Sequence, residues 1–205
     1  MKGRPFEAMT GRTGGLLLGL GLTLRPGAAL AHVPGGEVAG LISGLLHPLS
    51  GPDHVVAMLA VGLWGAQLGP PALWLLPVTF PMVMALGGLL ALLGLSVPGV
   101  ELGIALSAVT LGVVVLRAAR PHWLLAAALV GVFAVFHGHA HGTELPEGAS
   151  GLLYSLGFVV ATGGVHAVGI AIGLVHRWPA GRVALRVAGA GVTAAGLLFL
   201  AQGLA

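Results

Sequence analysis

Long apolar runs recur along this chain, near residues 53–69, 72–94, 99–118, 122–138, 150–175 and 182–204. Each approaches or exceeds the roughly 20 residues that an α-helix needs to cross a bilayer. A backbone inside lipid has no water to bond, so segments of this kind satisfy their own N–H and C=O groups by forming helices. The composition agrees, with 57% hydrophobic and 7% charged residues. The expected fold is all-α: a polytopic helical membrane protein with about six spans. Its 36 glycines suit helices that approach closely in lipid. No Gly-X-Y period is present, which excludes collagen.

The N-terminus reads differently. Residues MKGRPFEAMTGRTGG are basic on balance, LLLGLGLTL is apolar but short, and Ala29-Leu30-Ala31 forms a small-x-small cleavage site. Residues 1–31 are therefore expected to be a cleaved signal peptide, and 32–205 a single transmembrane domain beginning at His32. Cleavage removes Lys2, Arg4, Arg12, Arg25 and Glu7, leaving five arginines against Glu37, Asp53, Glu101, Glu144 and Glu147. The mature chain is formally neutral, so no nucleic acid is expected as a partner, and the apolar composition makes the lipid bilayer one. The chain has no cysteine, so any metal must be held by nitrogen and oxygen.

Loop charge sets the orientation. Arg117 and Arg120 lie between the third and fourth spans, and Arg177, Arg182 and Arg186 between the fifth and sixth, so both loops are expected in the cytoplasm. The loops bearing Glu101 and Glu144/Glu147 alternate with them and face outward. Signal cleavage independently requires an outside N-terminus. With the N-terminus outside, 38–69 must cross once. The stretch 38–47 is expected either to dip into the outer leaflet or to form the outer half of a helix broken at His47-Pro48 and Gly51-Pro52. Trp64, Trp74, Trp123 and Trp178 fall near span ends and read as interface anchors.

Two histidine clusters stand at the outward mouth. The first is His47-Pro-Leu-Ser-Gly-Pro-Asp53-His54. The second is Phe136-His137-Gly-His139-Ala-His141-Gly-Thr-Glu144, in which His137, His141 and Glu144 share one face of a continuing helix while His139 points elsewhere. Ionisable groups at membrane depth are costly and usually functional. Imidazole and carboxylate together suit nickel, cobalt, copper or zinc. The bland alternatives are wetted surface histidines and a His-rich loop that scavenges metal. His166, deeper within the fifth span, is either a helix-packing hydrogen-bonder or the next ligand inward. His32 offers an amine and an imidazole at the mature N-terminus. His122 and His176 lie beside arginine at cytoplasmic ends and read as interfacial. Thr79, Ser107, Thr110, Ser155 and Gln67 read as bonds between helices.

At these motifs the chain resembles the HupE/UreJ family of nickel transporters. The His-x5-Asp-His signature is met by His47, Asp53 and His54. The Phe-His-Gly-x-Ala-His-x-x-Glu signature is met by Phe136, His137, Gly138, Ala140, His141 and Glu144. The resemblance implies inner-membrane uptake of Ni²⁺, with Co²⁺ the alternative, supplying hydrogenase or urease maturation, without a prosthetic group or enzymatic step. The metal would pass between His47, Asp53, His54, His137, His141 and Glu144, with His139, His166 and His32 as further candidates. Two rivals come from other classes. An intramembrane His-ligated metalloenzyme would turn over a lipid substrate, and a metal-binding sensor or chaperone would bind without flux.

Overall fold

The computed structural model describes residues 36–144 and 148–204, so the N-terminal segment, with its cleavage site and His32, lies outside the described residues. Among the described residues every regular element is helical. The helices are α1 (Gly36–Ser50), α2 (Pro52–Leu68), α3 (Ala72–Leu92), α4 (Val100–Leu116), α5 (Trp123–Thr143), α6 (Gly151–Gly173) and α7 (Pro179–Gly203). A short 3₁₀ turn, Leu174–Arg177, joins α6 to α7. Four of the long helices have the length and apolarity to cross a membrane, namely α3, α5, α6 with its 3₁₀ extension, and α7. The protein is a polytopic helical membrane protein.

Glycine contacts give the direction of each pair. Gly40 lies against Ser150 and Gly44 against Tyr154, while Gly62 lies against His166 and Gly173 against Leu63. Both α1 and α2 therefore run parallel to α6 and follow one another along it. They form a single discontinuous span, the second of the two arrangements expected. The break is narrower than expected, because α1 continues through His47-Pro48 and ends only at Ser50. Pro48 lies in the last turn, and the chain leaves helical geometry at Gly51, whose φ of −95° and ψ of 109° are extended. Pro52 then starts α2, where a missing N–H breaks no helical bond.

The other pairs follow the same alternation. In α3 and α5, Gly87 meets Val135 and Gly142 meets Gly88, a parallel pair. In α4 and α7, Gly112 meets Thr193 and Gly189 meets Leu116, an antiparallel pair. These directions are what a chain crossing back and forth must have. They put Arg117, Arg120, Arg177, Arg182 and Arg186 at one end of the bundle and Asp53, Glu101 and Glu144 at the other.

The buried core is apolar and centres on α2, where Ala57, Val61 and Trp64 pack with Leu76, Phe80, Leu111, Val115, Val130 and Leu185. Trp64 is 1% exposed and donates its indole N–H to the Ala119 carbonyl at 3.0 Å, so it is a core residue and no interface anchor. Its amphipathic ring found a carbonyl at a helix end inside the bundle. Trp74, Trp123 and Trp178 face outward as expected. Gln67 bonds between helices, donating to the Val115 carbonyl at 3.2 Å.

A methyl group on Gly189 would run into the backbone of Leu116, whereas one on Gly191 meets only open space. Gly189→Ala should destabilise the α4–α7 seam by about 1–3 kcal/mol, the usual cost of overpacking. Gly191→Ala should leave stability unchanged or slightly raised. Thermal unfolding of the detergent-solubilised protein, followed by tryptophan fluorescence, compares the two.

Candidate metal centre

The first motif is built by the break. α1 delivers His47 in its last turn, and α2 opens with Asp53 and His54. Asp53 is favoured there, because the first turn carries the positive end of the helix dipole. Its Oδ1 accepts from the His54 backbone N–H at 2.9 Å and lies 3.0 Å from the His54 Nδ1. A carboxylate accepts only, so Nδ1 carries the proton and His54 Nε2 keeps its lone pair. Gly51 leaves room for this pair, since a Cβ there would stand 2.9 Å from Asp53 Oδ1 and 3.0 Å from His54 Nδ1 and push on both side chains.

The second motif depends on α5 running on to Thr143, with Glu144 as its cap. His137 and His141 then lie on the buried face, 0% and 7% exposed. Ser107 of α4 fixes the tautomer of His137. Its hydroxyl has one proton, which it gives to the Ile104 carbonyl at 2.6 Å. The 2.9 Å contact with His137 Nε2 must therefore be donated by the ring, leaving the lone pair on His137 Nδ1. That nitrogen, His54 Nε2 and both nitrogens of His141 are buried without a hydrogen-bond partner.

The two motifs meet. The ring centroids of His47 and His141 are 4.9 Å apart, those of His141 and His54 4.4 Å, and those of His54 and His137 4.6 Å. Four imidazoles from α1, α2 and α5 thus form a continuous row. At its outer end His47 Nε2 contacts Glu144 Oε2 at 2.8 Å, and His141 Nδ1 lies 3.6 Å from the same oxygen. One ligand atom each from His47, His141 and Glu144 fits within 4.8 Å, close enough for a shared ion. Phe158 of α6 packs edge-on to His141 at 4.4 Å and walls this end. The His141 ring beside it and the His47 hydrogen bond hold the Glu144 carboxyl at about 2 against the effect of burial. The contribution of that contact is complete above the ordinary value of 4.5 and is lost only as pH falls toward 2.

Other candidates lie elsewhere. His139 points away from the row and its Nε2 contacts the Leu95 carbonyl at 2.9 Å. His166 lies deeper, 1% exposed, and is separated from His137 by the ring of Phe80. His122 caps α5 by accepting from the Leu124 N–H at 3.3 Å. Two residues carried no such signal in the sequence. Ser107 read only as an interhelical bond, and Phe80 was not singled out at all. Glu101, which read only as a loop charge, lines with Asp53 and Gln202 a cavity of about 270 Å³ at the carboxylate end.

The site defines a class: a helical membrane protein with a row of imidazoles leading inward from carboxylates, a ligand set that suits a divalent transition metal. The family follows from comparison. The model of the family described as "HupE / UreJ protein" matches residues 20–199, and the chain belongs to that family. It is 43% identical over 175 residues to Protein HupE of Rhizobium leguminosarum bv. viciae, covering 85% of this chain and 91% of the relative. The resemblance seen in the two motifs is borne out. No solved structure gives a significant match.

Removing a ring from the centre of the row should matter more than removing one beside it. His141→Ala should weaken Ni²⁺ binding by on the order of 10–100-fold or more. His139→Ala should leave it within about 2-fold, inside the margin of a side chain that only tethers a loop. Equilibrium dialysis of the purified protein reads both.

Proposed function

We propose that this protein is a secondary transporter of the bacterial inner membrane that imports Ni²⁺, with Co²⁺ the alternative, and supplies hydrogenase or urease maturation. The observation that carries this is the row itself: two motifs 90 residues apart in sequence, from His47 to His137, supply adjoining rings with free lone pairs. The arginine-bearing end is read as cytoplasmic by the positive-inside rule. The mouth with Glu144 then faces out, as cleavage after Ala31 also requires.

A hydrated dication would first meet Glu144, His47 and His141. It would then lose water stepwise to His54 and His137. Asp53 orients His54 by holding its Nδ1 proton and lends negative charge to the site. Several partial sites suit passage better than one closed cage, because the ion must also leave. An inside-negative potential favours entry of a dication by roughly 4.6 kcal/mol per 100 mV, twice the single-charge value. No bond-breaking step is needed.

Cells expressing His54→Ala or His137→Ala should take up radioactive nickel about 10-fold or more slowly than wild type, given the usual effect of losing a metal-site group. Uptake equal to wild type would refute the assignment. Competition by cobalt, zinc and copper in the same assay gives the selectivity. A proton and a metal ion compete for the same imidazole lone pair, so uptake should fall as the outside is acidified. Glu144 stays ionised until the pH approaches 2. Uptake that rises on acidification would point to a driving proton gradient instead of ligand protonation as the dominant effect.

A further inference from the structure

Tyr154, in the first turn of α6, stands beside the outer end of the histidine row. Its ring centroid lies 5.7 Å from that of His47 and 6.2 Å from that of Phe158, the residue that packs on His141. Close backbone contact sets this position, because a Cβ on Gly44 of α1 would overlap the Tyr154 backbone. The residue is 5% exposed, and its hydroxyl is buried without a hydrogen-bond partner. A tyrosine near a span end ordinarily anchors its helix by reaching the headgroups with its hydroxyl. This one is turned into the bundle. A buried tyrosine hydroxyl usually finds a partner, and leaving it unpaired is costly.

The cluster beside it is short of ligands. His47, His141 and Glu144 offer one ligand atom each within 4.8 Å. Three donors are fewer than the four or more that a divalent transition metal takes, so an ion held there keeps water. Those waters need room and partners. A cavity of about 330 Å³ lies between α3, α5 and α6, and both His141 and Tyr154 line it. Each water takes roughly 30 Å³, so there is space for several. Most of the other walls are apolar, among them Pro81, Met84 and Phe158, and the remaining polar side chain lining the cavity, Ser155, is exposed.

We propose that Tyr154 is a positioning residue of the outer metal site, donating its phenolic proton in a hydrogen bond to a water that the ion keeps while His47, His141 and Glu144 hold it. The inference rests on the transport reading above for the identity of the ion. The phenol stays protonated and is no ligand itself. It acts through the bridging water, which serves nearly as well as a direct hydrogen bond. An ion that still carries water is recognised here, and one stripped of it gains nothing from Tyr154.

Tyr154→Phe removes only the hydroxyl. That group has no partner until the ion arrives, so the metal-free variant should melt at or above the wild-type temperature, read by tryptophan fluorescence after chelation. Its Ni²⁺ affinity, by equilibrium dialysis of the purified full-length protein, should fall about 10-fold, as loss of a group outside the ligand set commonly causes. The loss should depend on the site: in a His141→Ala background the same change should alter affinity by less than about 2-fold. A merely structural role would lower melting temperature and affinity together. That pattern, an affinity unchanged by Tyr154→Phe, or an equal loss in both backgrounds would overturn the proposal. So would a variant that fails to fold, since the hydroxyl would then be bonded in the metal-free protein. Wild type that binds Ni²⁺ and loses affinity on Tyr154→Phe, yet carries no flux in proteoliposomes, would support this role of Tyr154 while defeating the transport reading.

Discussion

Lipid offers no hydrogen bonds, and that one constraint organises this molecule. Every polar group carried into the bundle must find its partner within the protein. Most do so. The Trp64 and Gln67 side chains donate to carbonyls at the end of α4, and Ser107 closes on Ile104. Against that background, the lone pairs left over on His54, His137, His141 and His166 are conspicuous. A buried acceptor without a partner is ordinarily selected against, at a cost of about 1–3 kcal/mol each. Several of them lie on adjoining rings, and the proposed function takes them as a path whose partner is supplied from outside.

Close packing decides where those lone pairs point. The glycines along α1, α2 and α6 let backbones touch, which leaves little freedom for the rings between them. Between Gly44 and Gly62 the broken span uses more chain than α6 uses between Tyr154 and His166. The surplus is the segment around Gly51, and it is what turns His47 and His54 toward the same partner, His141. The break is thus a means of bringing one motif to both sides of a ring on another helix.

Much of this was legible in the sequence. Helix lengths followed from apolar runs, and the parallel and antiparallel seams agree with the alternation read from Arg117, Arg120, Arg177, Arg182 and Arg186. The spacing of His137, His141 and Glu144 correctly put them on one face and His139 off it. What could not be read was anything set by contact between distant helices. Trp64 sits near a span end in sequence, yet the carbonyl that buries it comes from Ala119. Asp53 looked like a ligand equal to its neighbours, yet its Oδ1 is committed to His54. The tautomer of His137 depends on a serine 30 residues away. Spacing on one helix is local information, and partners across a bundle are not.

The distribution of charge along the histidine row has a physical reason. An ionised side chain near the bilayer centre costs about 2.5–3.5 kcal/mol or more, so carboxylates are affordable at the mouth and poor choices inside. Glu144 is half exposed and Asp53 a quarter exposed, while His137 and His166 are buried almost completely. A neutral imidazole can wait in the interior without charge and still bind a cation when one arrives. Only the ion then brings charge into the membrane. The row grows less anionic with depth, from Glu144 with His47 and His141, through His54 backed by Asp53, to His137. On the proposed transport reading, electrostatic attraction would serve capture at the mouth and its absence release within.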